Sequence, residues 1–142
     1  MPSSFRIVDI PILVKLTWGL HNQCLVLGKD APDGFKKLVT ELGSLQGILR
    51  TFGEDMGSTT SLFEKMDEDR KQTFQRSLGA CFATLHGLEE VLARFKALDS
   101  GDGHSLWRRI KWATQRTHIE DIRSKIMVHT CNLSLCISSI GK

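Results

Sequence analysis

The stretch Ile119–Ile140 reads IEDIRSKIMVHTCNLSLCISSI, and its apolar spacing decides the fold class of this 142-residue chain. Steps of three and four residues alternate along it, which is the spacing of a helix packed lengthwise against other helices. The positions in this seam are Ile119, Ile122, Ile126, His129, Leu133, Cys136 and Ile140. The pattern predicts a long helix with one buried face.

The same spacing recurs in two earlier segments, which we predict as helices over Gly34–Phe52 and Arg70–Leu98. The apolar seam of the first is Phe35, Leu38, Leu42, Leu45, Leu49 and Phe52. The seam of the second is Phe74, Leu78, Cys81, Leu85, Leu88, Leu92 and Phe95. Each helix therefore carries one stripe that must be buried against its neighbours.

The first predicted helix begins near Asp9, whose carboxylate can cap the first turn, and ends at Leu27, with Gly28 as its C-cap. This helix is apolar on two faces. One stripe is Leu13, Leu16, Leu20, Cys24 and Leu27, and the second is Val14, Trp18 and Leu25. A helix of this kind either lies between other helices or gives one face to another hydrophobic phase.

The remaining segments are shorter. We predict a loop over Gly53–Thr60, a short helix over Ser61–Glu68 and a break at Asp99–His104 because of its glycine and aspartate content. Ser105 then caps the last segment. That segment is either one helix or a short helix over 106–114 followed by a second over 117–140.

The fold class follows from these segments together. All three prolines lie within the first 32 residues, and a long proline-free stretch favours helices. No run of period two is long enough to predict a sheet. We therefore predict an all-α fold, an antiparallel four-helix bundle with one or two short additional helices. Residues 1–142 form a single domain, since no linker divides them.

The cysteines and histidines do not form a recognisable chemical site. Cys24 and Cys81 lie in apolar helical segments, as do Cys131 and Cys136, and no CxxC occurs. Free buried thiols in a cytosolic protein are the preferred interpretation. His129, Cys131 and Cys136 do not converge at about 100° per helical residue, which argues against zinc. Without a nucleophile motif or phosphate loop, we expect no enzymatic activity, metal, cofactor or small-molecule substrate.

One basic and aromatic stretch stands apart. We call Leu106–Trp112 the basic segment. Its Trp107 and Ile110 share a face, and Arg108, Arg109 and Lys111 project around it. Either the tryptophans close one end of the bundle and the cations are solvated, or the segment contacts an anionic membrane surface. A single short cluster in a chain of net charge +3 argues against nucleic acid.

The order of these features resembles a known family. The lead-in Phe5–Asp9 (FRIVD) precedes the first helix, and Phe35–Leu49 (FKKLVTELGSLQGIL) lies in the second. Cys81–Leu92 (CFATLHGLEEVL) lies in the third, followed by the basic segment and Ile122–Ile137 (IRSKIMVHTCNLSLCI). Over nearly its whole length the chain resembles the helical N-terminal domains of fungal STAND and NLR-like proteins, including the HeLo-like group.

The resemblance implies an N-terminal bundle within a longer protein. In the HeLo-like group such a bundle induces or executes cell death by membrane targeting after oligomerisation, and it has no catalytic residues. The first helix departs from the pore-forming pattern because it has Gly19 but no glycine ladder, and it carries Lys15 and His21. The expected location is cytoplasmic, with peripheral membrane association as an open alternative.

We predict a functional surface from two groups of residues, chosen for excess apolarity and clustered charge. The first comprises Leu13, Leu16, Trp18 and Leu20, and the second comprises Trp107, Arg108, Arg109 and Lys111. The expected partner is a second copy of the chain or another protein, with an anionic membrane as a further alternative. The competing function is an adaptor bundle that binds a partner helix without membrane activity.

Overall fold

The computed structural model describes residues 6–98 and 106–140, with side chains as far as residue 136. Within these ranges the chain is helical and contains no strand, so the predicted all-α class is confirmed. Two 3-10 turns, Ile7–Asp9 and Gly28–Asp30, flank the first of six helices. The helices are α1 (Ile10–Leu27), α2 (Asp33–Glu54), α3 (Met56–Glu64), α4 (Glu68–Ala97), α5 (Leu106–Ile110) and α6 (Trp112–Ile140).

The predicted loop over Gly53–Thr60 is wrong, because helix occupies nearly all of it. Only Asp55 separates α2 from α3. The Asp55 carboxylate accepts hydrogen bonds from the Ser58 backbone N–H at 3.0 Å and the Ser58 hydroxyl at 2.8 Å, which caps α3. The buried Thr59 hydroxyl donates to the carbonyl of Phe52 at 2.7 Å and ties α3 to the end of α2.

The last segment forms two helices, but they separate at Lys111 and not at residues 115–116. Lys111 has a φ of 57°, in the left-handed region that non-glycine residues rarely adopt. The hydroxyl of Thr114 donates to the Lys111 carbonyl at 2.8 Å, which supports the new start of α6. The break therefore falls inside the basic segment. The predicted break at Asp99–His104 and the cap at Ser105 lie outside the described residues.

The predicted seams form the core. All six seam positions of α2 and all seven of α4 are buried. In α6, the seam is buried from Ile119 to Leu133, Cys136 is half-buried, and the side chain of Ile140 lies outside the described residues. The most extensive helix contacts are those of α2 with α6 and with α1, and α4 contacts both α6 and α1. The four long helices therefore share one core.

One end of the structure is organised by Trp107. Its ring centroid lies 4.7 Å from that of Phe35 at the start of α2 and 5.9 Å from that of Phe95 near the end of α4. Its indole N–H donates to the carbonyl of Leu27, the last residue of α1, at 3.1 Å. The end of α1, the start of α2, the end of α4 and helix α5 thus meet here.

The opposite end is organised by Phe74 near the start of α4. Its ring lies 5.3 Å from Phe52 and 6.1 Å from Phe63, which brings in the end of α2 and α3. The first half of α1 also reaches this end. A Cβ atom on Gly53 would lie 3.0 Å from Cγ2 of Val14, so glycine permits the close approach of α1 and α2.

Candidate functional site

The structure divides the four residues of α1 that the sequence suggested as a functional surface. Leu13 and Leu20 are 0% and 1% exposed, so their interpretation as surface residues is corrected to core residues. They lie on the stripe of α1 that faces the other long helices. Leu16 is half-buried, whereas Trp18 is 58% exposed. Trp18 is therefore the most exposed of the four side chains.

The exposed side of α1 carries a larger apolar surface than these residues suggested. We call the following set the outer face of α1, because each side chain is more than half exposed and belongs to α1 or to the 3-10 turn just before it: Val8, Ile12, Trp18, Leu25 and Val26. Contiguous exposed patches of a few hundred Å² mark interaction sites in many soluble proteins. Helix α1 contains no acidic residue, and its single lysine is Lys15. The outer face is therefore apolar with a positive bias.

Sequence reasoning found only part of this face. Trp18 and Leu25 belong to the second stripe noted in the sequence. Val8, Ile12 and Val26 follow neither stripe, so spacing alone did not select them. The signal that could have found them is the composition of α1, which has no acidic residue and is apolar at most of its positions.

A groove lies beside the outer face, between α1 and α2. Its volume is about 530 Å³. We call it the α1–α2 groove, and it is lined by Pro11, Ile12, Val14, Lys15, Trp18, Gln46, Arg50, Gly53 and Glu54. Arg50 and Glu54 form an ion pair at 3.1 Å on one rim. The α2 side resembles an ordinary solvent-exposed face in the sequence, so the groove was not predicted.

The basic segment combines one structural residue with surface cations. Trp107 is 8% exposed, so its interpretation as a surface residue is corrected to a core residue. It closes one end of the core, as one of the two sequence alternatives proposed. Trp112 is half-buried, and its ring lies 5.8 Å from that of Trp107. Arg109 is half-buried and donates to the Leu98 carbonyl at 3.4 Å. The segment's surface is therefore formed mainly by its charged side chains.

The structure brings the basic segment against the end of α1. The hydrogen bond from Trp107 to the Leu27 carbonyl joins them directly. Leu25 and Val26, both exposed, immediately precede that carbonyl in the chain. Arg108 and Lys111 are also exposed. The C-terminal end of α1, which carries Leu25 and Val26, is thus joined to the basic segment, whereas Trp18 and the α1–α2 groove lie closer to the N-terminus of α1.

His129 and the cysteines do not form a shared site. Among the described residues, no group of three or more His, Cys, Asp and Glu side chains could hold a metal ion. All four cysteines are free thiols, but Cys131 is exposed, which corrects its interpretation as a buried residue. Burial raises the pKa of the Cys24 and Cys81 thiols to about 12. Both thiols are therefore protonated and poorly nucleophilic at neutral pH.

His129 is a buried polar residue between α4 and α6. Its Nε2 lies 2.7 Å from Oγ1 of Thr84. The Thr84 hydroxyl donates its proton to the Ala80 carbonyl at 3.1 Å and can accept a hydrogen bond from His129. Burial lowers the pKa of His129, and the nearby cation of Lys125 lowers it further. Arg76 faces the same cavity of about 300 Å³ from α4. The neutral imidazole is therefore the form that this interface favours.

We expect His129 to make the stability of the fold depend on pH below neutrality. In the unfolded chain its pKa is about 6.5, and in the folded chain it is lower. Stability is therefore complete above pH 6.5 and is lost progressively as the pH falls towards the folded-state pKa. One such group changes the free energy of unfolding by at most about 1.4 kcal/mol per pH unit. Urea denaturation at a series of pH values measures this loss.

The matched variant for this measurement is His129→Gln. Glutamine keeps a hydrogen-bonding group near Thr84 but does not titrate. Its unfolding free energy should fall less between pH 7 and pH 5 than that of the wild type. An equal loss in both proteins would assign the pH dependence to other groups.

Comparisons with protein-family models, curated proteins and solved structures give no match for this chain. Within the part of the chain that the structure describes, no helix combines the length and apolarity needed to cross a membrane.

Proposed function

We propose that this chain is a non-enzymatic signalling or effector bundle of the kind found at the N-terminus of fungal NLR-like proteins, in the HeLo-like group. It would relay or execute a cell-death-type response by self-association and by peripheral contact with an anionic membrane. The single observation that supports this most is the outer face of α1. Its members are apolar, α1 itself has no acidic residue, and a hydrogen bond joins the end of α1 to the basic segment.

We also propose, as the architecture of this module, an antiparallel four-helix bundle in the sense that consecutive long helices run in opposite directions. Contacts at the two ends support it: α1 and α4 end where α2 starts, and α2 ends where α4 starts. Consecutive long helices therefore alternate in direction. In this arrangement α2 lies beside α6 and α1 lies beside α4, so spatial neighbours include parallel pairs.

Membrane contact would use the two surfaces together. The apolar side chains of the outer face would enter the boundary between headgroups and acyl chains, with the Trp18 indole at headgroup depth. Arg108 and Lys111 would lie near lipid phosphates, where each basic residue contributes about 1 kcal/mol at an anionic surface. The interaction is peripheral.

Sedimentation with vesicles of phosphatidylcholine and phosphatidylserine tests this proposal. The wild type is expected to sediment with these vesicles and not with phosphatidylcholine alone. Replacing Arg108, Arg109 and Lys111 with glutamate should abolish binding, because three attractive charges become repulsive. Lack of wild-type binding to anionic vesicles would contradict membrane contact.

A matched control has the same net charge. Glutamate at Lys65, Arg76 and Lys125 reverses three exposed cations away from the basic segment. This control should still bind, and equal loss in both variants would mean that net charge alone acts. The competing function, an adaptor that binds a partner helix, is favoured by the α1–α2 groove. Binding in an apolar groove should resist salt, whereas headgroup binding weakens with ionic strength.

A further inference from the structure

The α1–α2 groove has the dimensions of a helix-binding site. Its lining residues run from Pro11 to Trp18 on α1 and from Gln46 to Glu54 on α2. Eight or nine residues of a helix extend about 12–13 Å, or somewhat more than two turns. The side chains of Ile12 and Trp18, each 58% exposed, form one wall. Val14 and Gly53 lie in close contact where the two helices meet.

The shape of the groove selects a convex occupant. Side chains of an amphipathic helix can enter a groove of about 530 Å³ and cover its apolar wall. A flat bilayer surface does not fill a concavity between two helices.

The charges of the groove favour a partner helix that carries an acidic side chain. Arg50 and Glu54 neutralise each other through their ion pair. Among the described residues Lys15 has no ion-pair partner, and it is exposed in the groove. Helix α1 offers no carboxylate of its own. The groove therefore presents one positive charge within an apolar surface, which an acidic side chain would complement.

A second copy that presents the same face is disfavoured by this charge. A symmetric contact between two outer faces of α1 would bring Lys15 towards its own counterpart, and neither helix supplies an acid to separate them. Like charges that face each other across an interface are unfavourable.

We propose that the α1–α2 groove binds an amphipathic helix of a partner protein through apolar residues on Ile12 and Trp18 and an acidic residue opposite Lys15. This inference rests on the second function proposed above, an adaptor bundle that binds a partner helix, and it names the chemical class of that helix. It does not require membrane contact.

The experiment uses the full chain and two designed helical peptides of about 14 residues, or four turns. Both peptides carry leucines at helical spacing on one face. One carries glutamates beside that face, and the other carries lysines at the same positions. Fluorescence anisotropy of labelled peptides measures binding. We expect the acidic peptide to bind the wild type at least about tenfold more tightly than the basic peptide.

Variants on the protein make the test specific. Lys15→Glu should reverse the preference between the two peptides. Trp18→Ala should weaken binding of the acidic peptide by about tenfold or more. Both side chains are exposed, so both variants should keep the wild-type circular dichroism spectrum. Lys125→Glu and Val128→Ala alter an exposed charge and an exposed apolar residue on α6 and should leave binding unchanged.

Three outcomes would overturn the proposal. The first is equal binding of the two peptides, and the second is an unchanged preference in Lys15→Glu. The third is a wild-type dimer, detected by sedimentation equilibrium, that Trp18→Ala dissociates, because the occupant would then be a second copy. A protein that does not bind vesicles but still distinguishes the two peptides would contradict only the proposal of membrane contact. The two proposals can therefore fail independently.

Discussion

Replacing Phe35 with alanine is expected to reduce the free energy of unfolding by about 3–5 kcal/mol. Phe35 is completely buried, and its ring packs 4.7 Å from that of Trp107. The substitution removes this contact and leaves a cavity where α2 meets α5. Since small domains are stable by only about 5–15 kcal/mol, the loss is a large share of the total. Urea denaturation followed by circular dichroism measures it.

The conservative variant Phe35→Leu serves as the control. Leucine fills more of the site than alanine, so its cost should be clearly smaller. Tryptophan fluorescence adds a local readout, because water gains access to Trp107 when the ring of Phe35 is removed. A cost below about 1 kcal/mol for Phe35→Ala would show that this end of the core is not packed as the structure describes it.

The core of this fold was predictable because apolar residues at helical spacing lie on one face of each helix, and that face is buried. Each seam in α2 and α4 combines large apolar side chains at three- and four-residue steps, and no other arrangement buries them together. The same logic correctly treated His129 as an interior position of α6. The spacing did not indicate its partner, because the Thr84 hydroxyl comes from a different helix.

The segment boundaries were less predictable, because they depend on single hydrogen bonds and tertiary contacts. Residues 57–60 are poor helix formers, so local propensity favoured a loop. The cap from Asp55 and the hydrogen bond from Thr59 to Phe52 supply the missing stabilisation. The break at Lys111 is similar: nothing in the lysine side chain signals a left-handed backbone.

The candidate site was predictable only in outline. Excess apolarity predicted exposed apolar side chains on α1, and Trp18 is one of them, but the sequence assigned Leu13 and Leu20 to the surface although they belong to the first, buried stripe. The α1–α2 groove could not be predicted from either helix alone. Its existence depends on how closely Gly53 lets α2 approach Val14.

Two substitutions two residues apart on α1 should therefore have very different effects on stability. Leu20→Ala is expected to cost about 2–5 kcal/mol, because Leu20 is 1% exposed and its loss leaves a cavity. Trp18→Ala should change the free energy of unfolding by no more than about 0.5 kcal/mol, since Trp18 is 58% exposed. Urea denaturation of the two variants under identical conditions measures the difference.

The pair also separates folding from binding. If Trp18 serves the groove and the outer face, its alanine variant should lose peptide binding while its unfolding curve overlays that of the wild type. Leu20→Ala should retain binding at temperatures where it remains folded, because Leu20 lines neither surface. A Trp18 variant that is as unstable as Leu20→Ala would instead make Trp18 a structural residue, and α1 would then have no functional face centred on it.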